Sequence, residues 1–294
     1  MQYIFLDLEW NNAYSKIHHR FVNEIIEIGA VKLDENFLET DRFDVFIKSR
    51  ITKKLGARFK NLTNISNEEM IDGVDFSEAI ERFSEFCGKD FITITWSNSD
   101  LYAIAENFKL FLGGFPERFF EKYLDLQRFF QSIYKSNDGN QVSLKNAAES
   151  VGINLDSLSL HRASDDSAVT AEIFKRIKDK ADFSQLLVDT SSPEFYKRLT
   201  FKPYLIDDLK SEFIRKKDLS FKCPNCHKPA NPINEWTIKN KQFYNIMECK
   251  VCKLKFRARV RIKKCYDSTA VKKSIVVINN KSNESHKSKE KQPR

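Results

Sequence analysis

The chain has 294 residues, of which 41% are hydrophobic, enough for one large core and a smaller one. No apolar run approaches the length that spans a bilayer. The N-terminus carries no basic segment ahead of Asp7, so a secretory signal is not expected either. We therefore predict a cytoplasmic protein without a membrane anchor.

The net charge of +8 is divided unevenly along the chain. Residues 1–180 have 23 basic and 29 acidic side chains, a net of −6, whereas residues 181–294 have 26 and 12, a net of +14. A strongly basic second part indicates a polyanionic partner, with nucleic acid first among the candidates. A solvated tail is the alternative, and it is favoured for residues 279–294 alone.

Hydrophobic periodicity predicts a mixed α/β domain over residues 1–180. Short apolar runs predict strands at 3–10, 24–33, 42–48 and 91–96. Apolar residues at helical spacing predict helices from about Ser77, from about Asp100, and over 117–135, 143–151 and 166–180. Strands followed by helices are typical of a sheet flanked by helices.

The rest of the chain is predicted to form three segments. Residues 181–215 are expected to be a connector, and residues 216–265 a small cysteine-containing module with a hairpin from 242–248 and 254–262. Residues 266–294 are expected to be a basic and largely disordered tail.

Two acids interrupt the first strand, in the stretch FLDLEW. Residues two apart in a strand share a face, so Asp7 and Glu9 project side by side. Two like charges at that distance cost free energy unless a cation lies between them. An edge strand whose acids face water is the alternative, but Ile4, Leu6 and Leu8 require burial of the other face.

Two later segments add an acid each to the apolar side of a predicted helix. Asp100 shares a stripe with Ile104 and Phe108, although an acid in a first turn can simply complement the helix dipole. In HRASDD, Asp166 shares the apolar stripe of Val169 and Ile173, whereas Asp165 falls on the solvent-exposed face of the helix. His161 precedes this helix, where it is either a site residue or an ordinary polar loop residue.

In chain order, these residues resemble the DEDDh family of 3′–5′ exonucleases. The family comprises the proofreading-subunit-like and RNase T-like enzymes of the ribonuclease H-like superfamily. The matching motifs are D-x-E in FLDLEW, the Asp of SNSDLYAI and H-x-A-x-x-D in HRASDD, with further similarity in EIIEIGAVKLD, NLTNIS and LDLQRFF. The resemblance covers about residues 1–178 and implies a ribonuclease H-like mixed sheet flanked by helices. DLEW in place of the commoner DxET is similar to the branch that acts on RNA ends.

The resemblance implies a chemistry for each matching residue. Asp7, Glu9, Asp100 and Asp166 would hold two Mg²⁺ or Mn²⁺ ions, which prefer oxygen ligands. Asp7 would bridge the ions, and His161 would be the general base toward the attacking water. We therefore expect a hydrolase that removes nucleoside 5′-monophosphates from the 3′ end of single-stranded nucleic acid, with RNA preferred over DNA.

Four cysteines form two C-x-x-C pairs that are separated by 22 residues: Cys223, Cys226, Cys249 and Cys252. Two such knuckles predict a closed tetrahedral site for one structural Zn²⁺, that is, a zinc ribbon. Redox-active or merely buried cysteines are the alternatives. His227 follows the first knuckle, but the cysteines alone already complete the coordination.

The stretch KLKFRARVRIKK alternates basic and apolar residues, which predicts a strand with one positive face. The candidates for phosphate contacts are Lys255, Arg257, Arg259 and Arg261. The alternative for this stretch is an ordinary solvated strand. For the whole chain, the alternatives to an exonuclease are a non-catalytic nucleic-acid adaptor and a scaffold on which the ribbon docks a protein partner.

Overall fold

A computed structural model describes residues 1–52, 54–56, 59–60, 63, 65–114, 119–134, 141–155 and 162–278. The chain divides into two compact units, Met1–Thr200 and Phe201–Arg294. Among the described residues, no helix combines the length and the apolar character that crossing a bilayer would require.

A six-stranded mixed sheet forms the centre of the first unit. Its strands are β1 (Gln2–Ser15), β2 (Arg20–Leu33), β3 (Glu39–Phe46), β4 (Phe91–Thr95), β5 (Lys122–Asp125) and β6 (Val188–Asp189), in the order β3-β2-β1-β4-β5-β6. β1, β2 and β3 form an antiparallel meander, whereas β4 and β5 continue from β1 in parallel. The central position of β1 is consistent with its apolar sequence.

Helices cover both faces of this sheet. They are α1 (Asn67–Asp72), α2 (Phe76–Cys87), α3 (Ser99–Phe111), α4 (Leu126–Tyr134), α5 (Leu144–Ser150), α6 (Ala163–Ile177) and α7 (Pro193–Thr200). Ile4, Leu6 and Leu8 of β1 pack in the core that contains α2 and α3, whereas Tyr3 and Phe5 pack in the core that contains α4 and α6. The predicted fold class, a ribonuclease H-like mixed sheet flanked by helices, is confirmed.

The N-terminus of α6 lies directly on β2 because a glycine permits it. A Cβ atom built on Gly29 would lie 2.1 Å from the backbone carbonyl carbon of Ala163. Gly29 is also the register partner of Asp7 on β1. Any side chain at position 29 would therefore push the first turn of α6 away from the strand pair that carries Asp7.

The structure differs from the sequence predictions at two places in the first unit. Residues 122–125, predicted as helix, form β5 because Tyr123 and Leu124 pair with β4. Residues 181–200, predicted as connector, belong to the first unit: β6 pairs with β5, and Thr190 donates from Oγ1 to the carbonyl of Phe120 at 2.7 Å.

The second unit is a seven-stranded antiparallel assembly and is larger than the predicted module. Its strands are β7 (Tyr204–Leu205), β8 (Phe221–Lys222), β9 (Pro229–Pro232), β10 (Thr237–Lys239), β11 (Gln242–Cys249), β12 (Lys255–Lys264) and β13 (Thr269–Val277). β10 and β11 form a tight hairpin in which Asn240 and Lys241 have positive φ, the conformation that a two-residue type I′ turn requires.

The boundaries predicted for this unit are also different in the structure. Residues 204–205, from the predicted connector, pair with β12 as β7. Residues 269–277, predicted to belong to a disordered tail, form β13, which pairs with β12 along nearly its whole length. The remainder of the predicted tail, residues 279–294, lies outside the described residues.

Candidate active site and metal-binding cluster

Three predicted acids meet beside the central strand. Asp7 and Glu9 share the face of β1 that carries Tyr3 and Phe5, because side chains alternate along a strand. Asp166 projects from the first turn of α6 toward them, and carboxylate oxygens of all three residues lie within 4.8 Å of one another. Asp165 is not part of this cluster. The helical spacing that selected Asp166 therefore agrees with its position.

Asp100 lies next to this cluster, in the first turn of α3, and is only 4% exposed. Its carboxylate accepts hydrogen bonds from its own backbone N–H and from that of Leu8, on the strand that carries Asp7 and Glu9. Asp100 is not one of the three acids within 4.8 Å. The hydrogen bond from Leu8 therefore keeps the Asp100 carboxylate next to the three clustered acids, although it is not one of them.

The pKa values of the acids show how unfavourable their charges are together. Burial raises the pKa of Asp7 far above its ordinary value, and the neighbouring Asp100, Asp166 and Glu9 raise it further. Burial, with Asp166 and Glu27 nearby, raises the pKa of Glu9 to about 8. The pKa of Asp100 rises to about 7, mainly through burial. A group of oxygen donors that repel one another fits the donor set that Mg²⁺ or Mn²⁺ prefers.

A buried ion pair that the sequence analysis missed fixes the start of α6. Glu27, 0% exposed, accepts from Nε of Arg162 at 3.1 Å and from the backbone N–H of Ala163 at 3.4 Å. The guanidinium of Arg162 also lies 5.0 Å from the ring centroid of Phe46. Glu27 is an acid within an apolar strand, as Asp7 is, so the same sequence signal could have identified it.

The predicted His161 lies outside the described residues. The described part of the chain resumes at Arg162, which is the N-cap of α6 and is anchored by Glu27. The ion pair therefore fixes the backbone immediately after His161 and a few residues before Asp166.

A cavity of about 650 Å³ opens over the acid cluster. Its lining contains the acids and several aromatic and polar side chains, among them Trp10, Asn11, Phe59, Trp96 and Ser97. This volume lies in the range typical of clefts for small organic ligands, about 300–1,000 Å³. The cavity therefore offers carboxylates for metal ions and aromatic surface for a base.

The four predicted zinc ligands come together in the second unit. Their Sγ atoms lie within 4.8 Å of one another, with 3.4 Å between Cys223 and Cys252 and 3.4 Å between Cys226 and Cys249. Zinc with Zn–S bonds of about 2.3 Å at the centre of a tetrahedron requires sulfur atoms about 3.8 Å apart. The thiol cluster therefore fits a Cys₄ zinc site.

The two C-x-x-C pairs adopt the same knuckle geometry. In each, the backbone N–H of the residue after the second cysteine donates to the carbonyl of the first, at 3.0 Å from His227 and 2.9 Å from Lys253, and both of these residues have positive φ. N–H groups of Cys252 and Val251 donate to Sγ of Cys249, which lowers the pKa of that thiol to about 6. A lowered thiol pKa favours the thiolate that binds metal.

The predicted basic residues occupy the exposed face of β12. Exposed and buried residues alternate along this strand, with Phe256, Ala258, Val260 and Ile262 in the core of the second unit. The exposed positions are Lys255, Arg257, Arg259 and Arg261. Lys255 lies 3.9 Å from the carboxylate of Glu248, so its charge is partly compensated.

The fold and the acid cluster together define a ribonuclease H-like nuclease. Residues 4–174 match the RNase T exonuclease family, which amounts to more than half of the chain. The chain belongs to this family. The predicted resemblance to DEDDh exonucleases is confirmed, and so is the predicted enzyme class, a 3′–5′ exonuclease.

Named relatives share this domain. The probable 3′–5′ exonuclease KapD of Bacillus subtilis is 26% identical over 183 residues, which are 61% of this chain and 86% of KapD. The DNA polymerase III subunit epsilon of Aquifex aeolicus is 25% identical over 55% of this chain and 75% of its own length. A PolC-type DNA polymerase III of Clostridium perfringens is 28% identical over 62% of this chain, but only 12% of that polymerase is covered.

Solved structures share the fold at lower identity. The nuclease domain of 3′hExo, a DEDDh family member bound to rAMP, superposes with a TM-score of 0.53 at 20% identity, over 61% of this chain and 92% of that domain. A 3′-exonuclease whose structure concerns recognition of the 3′ end of a histone mRNA stem-loop gives a TM-score of 0.55 at 20% identity, over 65% and 91%.

Proposed function

We propose that this exonuclease hydrolyses single-stranded nucleic acid from the 3′ end, prefers RNA over DNA, and releases nucleoside 5′-monophosphates in a two-metal reaction. The observation that carries the proposal is the cluster of Asp7, Glu9 and Asp166, whose carboxylates lie within 4.8 Å of one another, with Asp100 beside them. The raised pKa values of Asp7, Glu9 and Asp100, in the lining of a cavity of about 650 Å³, are typical of acids that hold cations and do not stabilise the fold.

Each acid has a defined role in this proposal. Asp7, Glu9, Asp100 and Asp166 would hold two Mg²⁺ or Mn²⁺ ions. Bound there, such ions would activate a water molecule and stabilise the leaving 3′-oxygen. Glu9 also orients the attacking water, and His161 removes its proton, a role that suits a side chain titrating near neutral pH.

The walls of the cavity hold the terminal nucleotide. Trp10, Trp96 and Phe59 provide aromatic surface, on which an unpaired base can stack without regard to its identity. Asn11 and Ser97 add hydrogen-bonding groups at the same wall. An unpaired end exposes both base faces, so these walls favour a single strand.

The RNA preference rests on two supports. The first motif reads DLEW, a form that resembles the branch acting on RNA ends. Two structural neighbours concern RNA as well, one through a histone mRNA stem-loop and one through bound rAMP. The DNA polymerase III relatives favour DNA, so the sugar preference is the part of the proposal that most needs a direct measurement.

The second unit binds the substrate and does not take part in the chemistry. One structural Zn²⁺ on Cys223, Cys226, Cys249 and Cys252 would hold its knuckles together. The cations of β12 contact phosphates upstream of the cleaved bond. A protein partner on the same strand is the competing proposal, and a cytoplasmic location remains a prediction from the sequence.

A degradation assay tests the proposed function. The zinc-loaded full chain is incubated with 5′-labelled RNA and DNA oligonucleotides of equal sequence, with Mg²⁺, with Mn²⁺ or with neither. We expect metal-dependent ladders that shorten from the 3′ end, faster on RNA, with 5′-monophosphates as products identified by mass spectrometry. Ladders that Asp7→Asn produces as fast as the parent would contradict the assignment of the acid cluster as the catalytic site. Intact substrates under every condition would contradict the proposal.

A further inference from the structure

The second unit contains a groove that the proposed chemistry does not use. Its volume is about 620 Å³, and it lies between the β10–β11 hairpin and the exposed face of β12. The lining residues that matter here are Asn234, Thr237, Asn240, Tyr244, Ile246 and Arg257. Its size falls within the range of small-ligand clefts, about 300–1,000 Å³.

Tyr244 is the aromatic residue of this groove, and the strand register places it among cations. Residues directly opposite each other on antiparallel strands share a face. Thr237, Tyr244, Arg259 and Ser274 form one such row across β10, β11, β12 and β13. In the next row, Ile246 lies opposite Arg257. Arg259 is therefore the cross-strand neighbour of the tyrosine, and Arg257 is diagonal to it. Nε of Arg259 donates to Oγ of Ser274 on β13 at 2.9 Å, so its guanidinium reaches a phosphate beside the groove, whereas Arg257 lines the groove itself.

The lysines and arginines of this unit divide into two groups. Lys273 donates to the carbonyls of Lys217 and Ser220, both at 2.7 Å, and Lys264 donates to the carbonyl of Tyr266 at 3.1 Å, so these two are used within the fold. Within residues 162–278, by contrast, no carboxylate forms an ion pair with Arg257 or Arg261. These two cations remain available to a ligand.

Polar groups on one wall complete the groove. Asn234, Thr237 and Asn240 carry donors and acceptors of the kind that base edges use. The loop at Asn234 is fixed, because its carbonyl accepts from Nδ2 of Asn245 at 2.7 Å. An acid, Glu235, also lines the groove and disfavours a phosphate directly at that wall. Lys239 of β10 and Arg257 of β12 are the cations of the lining, so the groove suits a base with phosphates beside it.

We propose that this groove binds one unpaired base of single-stranded nucleic acid against Tyr244, while Arg257 and Arg259 contact the flanking phosphates. An aromatic platform beside cations that contact the backbone is the arrangement that non-sequence-specific single-strand binders use. The proposal rests on the proposed function only in that the ligand is single-stranded nucleic acid. It gives Tyr244 and the groove a role in binding the base, which the charges of β12 alone do not provide.

Binding of bases and of backbone can be separated by experiment. The zinc-loaded full chain in an Asp7→Asn background is titrated, by fluorescence anisotropy, with a labelled 12-nucleotide single strand and with an abasic strand of equal length. Stacking contributes about 1–3 kcal/mol per base, so Tyr244→Ala should weaken binding of the normal strand about 5- to 150-fold. Binding of the abasic strand should hardly change. Tyr244→Phe, which keeps the ring, should bind like the parent.

The salt dependence provides the matched control. Arg257→Gln should flatten the slope of log affinity against log salt by about 0.7 on a single strand. Lys255→Gln, on the same strand but beside Glu248, should change it less, and Tyr244→Ala should leave it unaltered. Zinc content establishes whether each variant retains the ribbon. If Tyr244→Ala loses zinc, Tyr244→Leu, which removes the ring but keeps an apolar side chain, takes its place, because the parent's own preference for the normal strand also includes base contacts in the active-site cavity.

Equal affinity of the parent for normal and abasic strands would contradict the proposal that the groove binds a base. Unchanged affinity and salt slope in Tyr244→Ala and Arg257→Gln would exclude nucleic acid from this face altogether and leave it to a protein partner. These outcomes are independent of catalysis, because a chain with Asp7 intact can be assayed separately for degradation. Loss of activity with normal binding would contradict the proposed function but not the groove.

Discussion

The two units of this chain both concentrate like charges, but in opposite environments. The first unit buries acids against one another, so that the pKa of Glu9 rises to about 8. The second unit lines up cations on a solvent-exposed strand face over a fully apolar row. Buried acids this close together must either take up protons or bind a ligand of opposite charge, whereas exposed cations only attract a polyanion from solution. In the proposed function, the first arrangement serves chemistry and the second serves affinity.

The largest expected effect is the loss of activity in Asp7→Asn. Removal of an acid that, in the proposed mechanism, would hold the metal ions should lower kcat about 10³-fold or more, because the charge that develops during hydrolysis would lose its counterions. The melting temperature without Mg²⁺ or Mn²⁺ should stay equal or rise, since a source of repulsion is gone. Single-turnover degradation and scanning calorimetry measure both. Full activity in this variant would remove the basis for calling the first unit the chemical one.

The neighbouring acids Asp165 and Asp166 test more precisely which carboxylates form the catalytic cluster. Asp166→Asn should lower kcat about 10²- to 10³-fold, whereas Asp165→Asn should stay within about threefold of the parent, because only Asp166 reaches the cluster. Both changes remove one charge from the same turn of α6. The reverse result would mean that the functional acid faces the other side of the helix.

Gly29→Ala should impair catalysis without touching an acid. The added methyl group collides with the backbone of Ala163, and overpacking of this kind costs about 1–3 kcal/mol. Displacement of the first turn of α6 should reduce kcat about 10- to 100-fold through the position of Asp166. Gly114→Ala is the matched control, since nothing lies within 4 Å of its added Cβ. Equal kinetics for the two variants would show that the close approach at β2 is not needed.

The basic strand should give a smaller effect, on a different parameter. Replacing Lys255, Arg257, Arg259 and Arg261 by Gln should raise KM for long substrates about tenfold with little change in kcat, as expected for lost uniform binding. Short oligonucleotides should be affected least. Steady-state kinetics at two substrate lengths and two salt concentrations test this. A fall in kcat on short substrates would contradict the proposal that the second unit contributes to binding and not to chemistry.

The smallest expected effect is a pH-dependent stability of the metal-free acid cluster. The folded-state pKa values of Glu9 and Asp100 are raised to about 8 and about 7, so between about pH 4 and 8 the folded state holds more protons than the unfolded state. The free energy of unfolding should therefore fall as pH rises through this window. Glu9→Gln should raise the melting temperature at pH 8 by about 3–6 °C and leave it unchanged at pH 4.

The control for this measurement is to repeat it with Mg²⁺ added. Mg²⁺ should stabilise the parent more at pH 8 than at pH 5, since it compensates charges that are present only at the higher pH. The zinc site must stay loaded throughout, so Mg²⁺-free buffer is used instead of a chelator. A melting temperature that rises with pH in both proteins would contradict the raised pKa values.

Local periodicity determined much of the first unit. Alternation along β1 placed Asp7 and Glu9 together and opposite Leu6 and Leu8, and the 3.6-residue repeat selected Asp166 over Asp165. The cysteine spacing located the knuckles in the same way. These features depend on neighbours within a turn or a strand, so the sequence alone contains the information that they require.

The remaining features were decided by residues far apart in the chain. Glu27 and Arg162 are 135 positions apart, and the contact of Gly29 with Ala163 is a similar case. Residues 122–125 became a strand because β4 offers an edge, and residues 269–277 because β12 does. Such pairings depend on which strand edges the rest of the fold leaves open. A local sequence pattern contains no information about those edges. The groove at Tyr244 belongs here too, because it exists only where three strands and a loop come together.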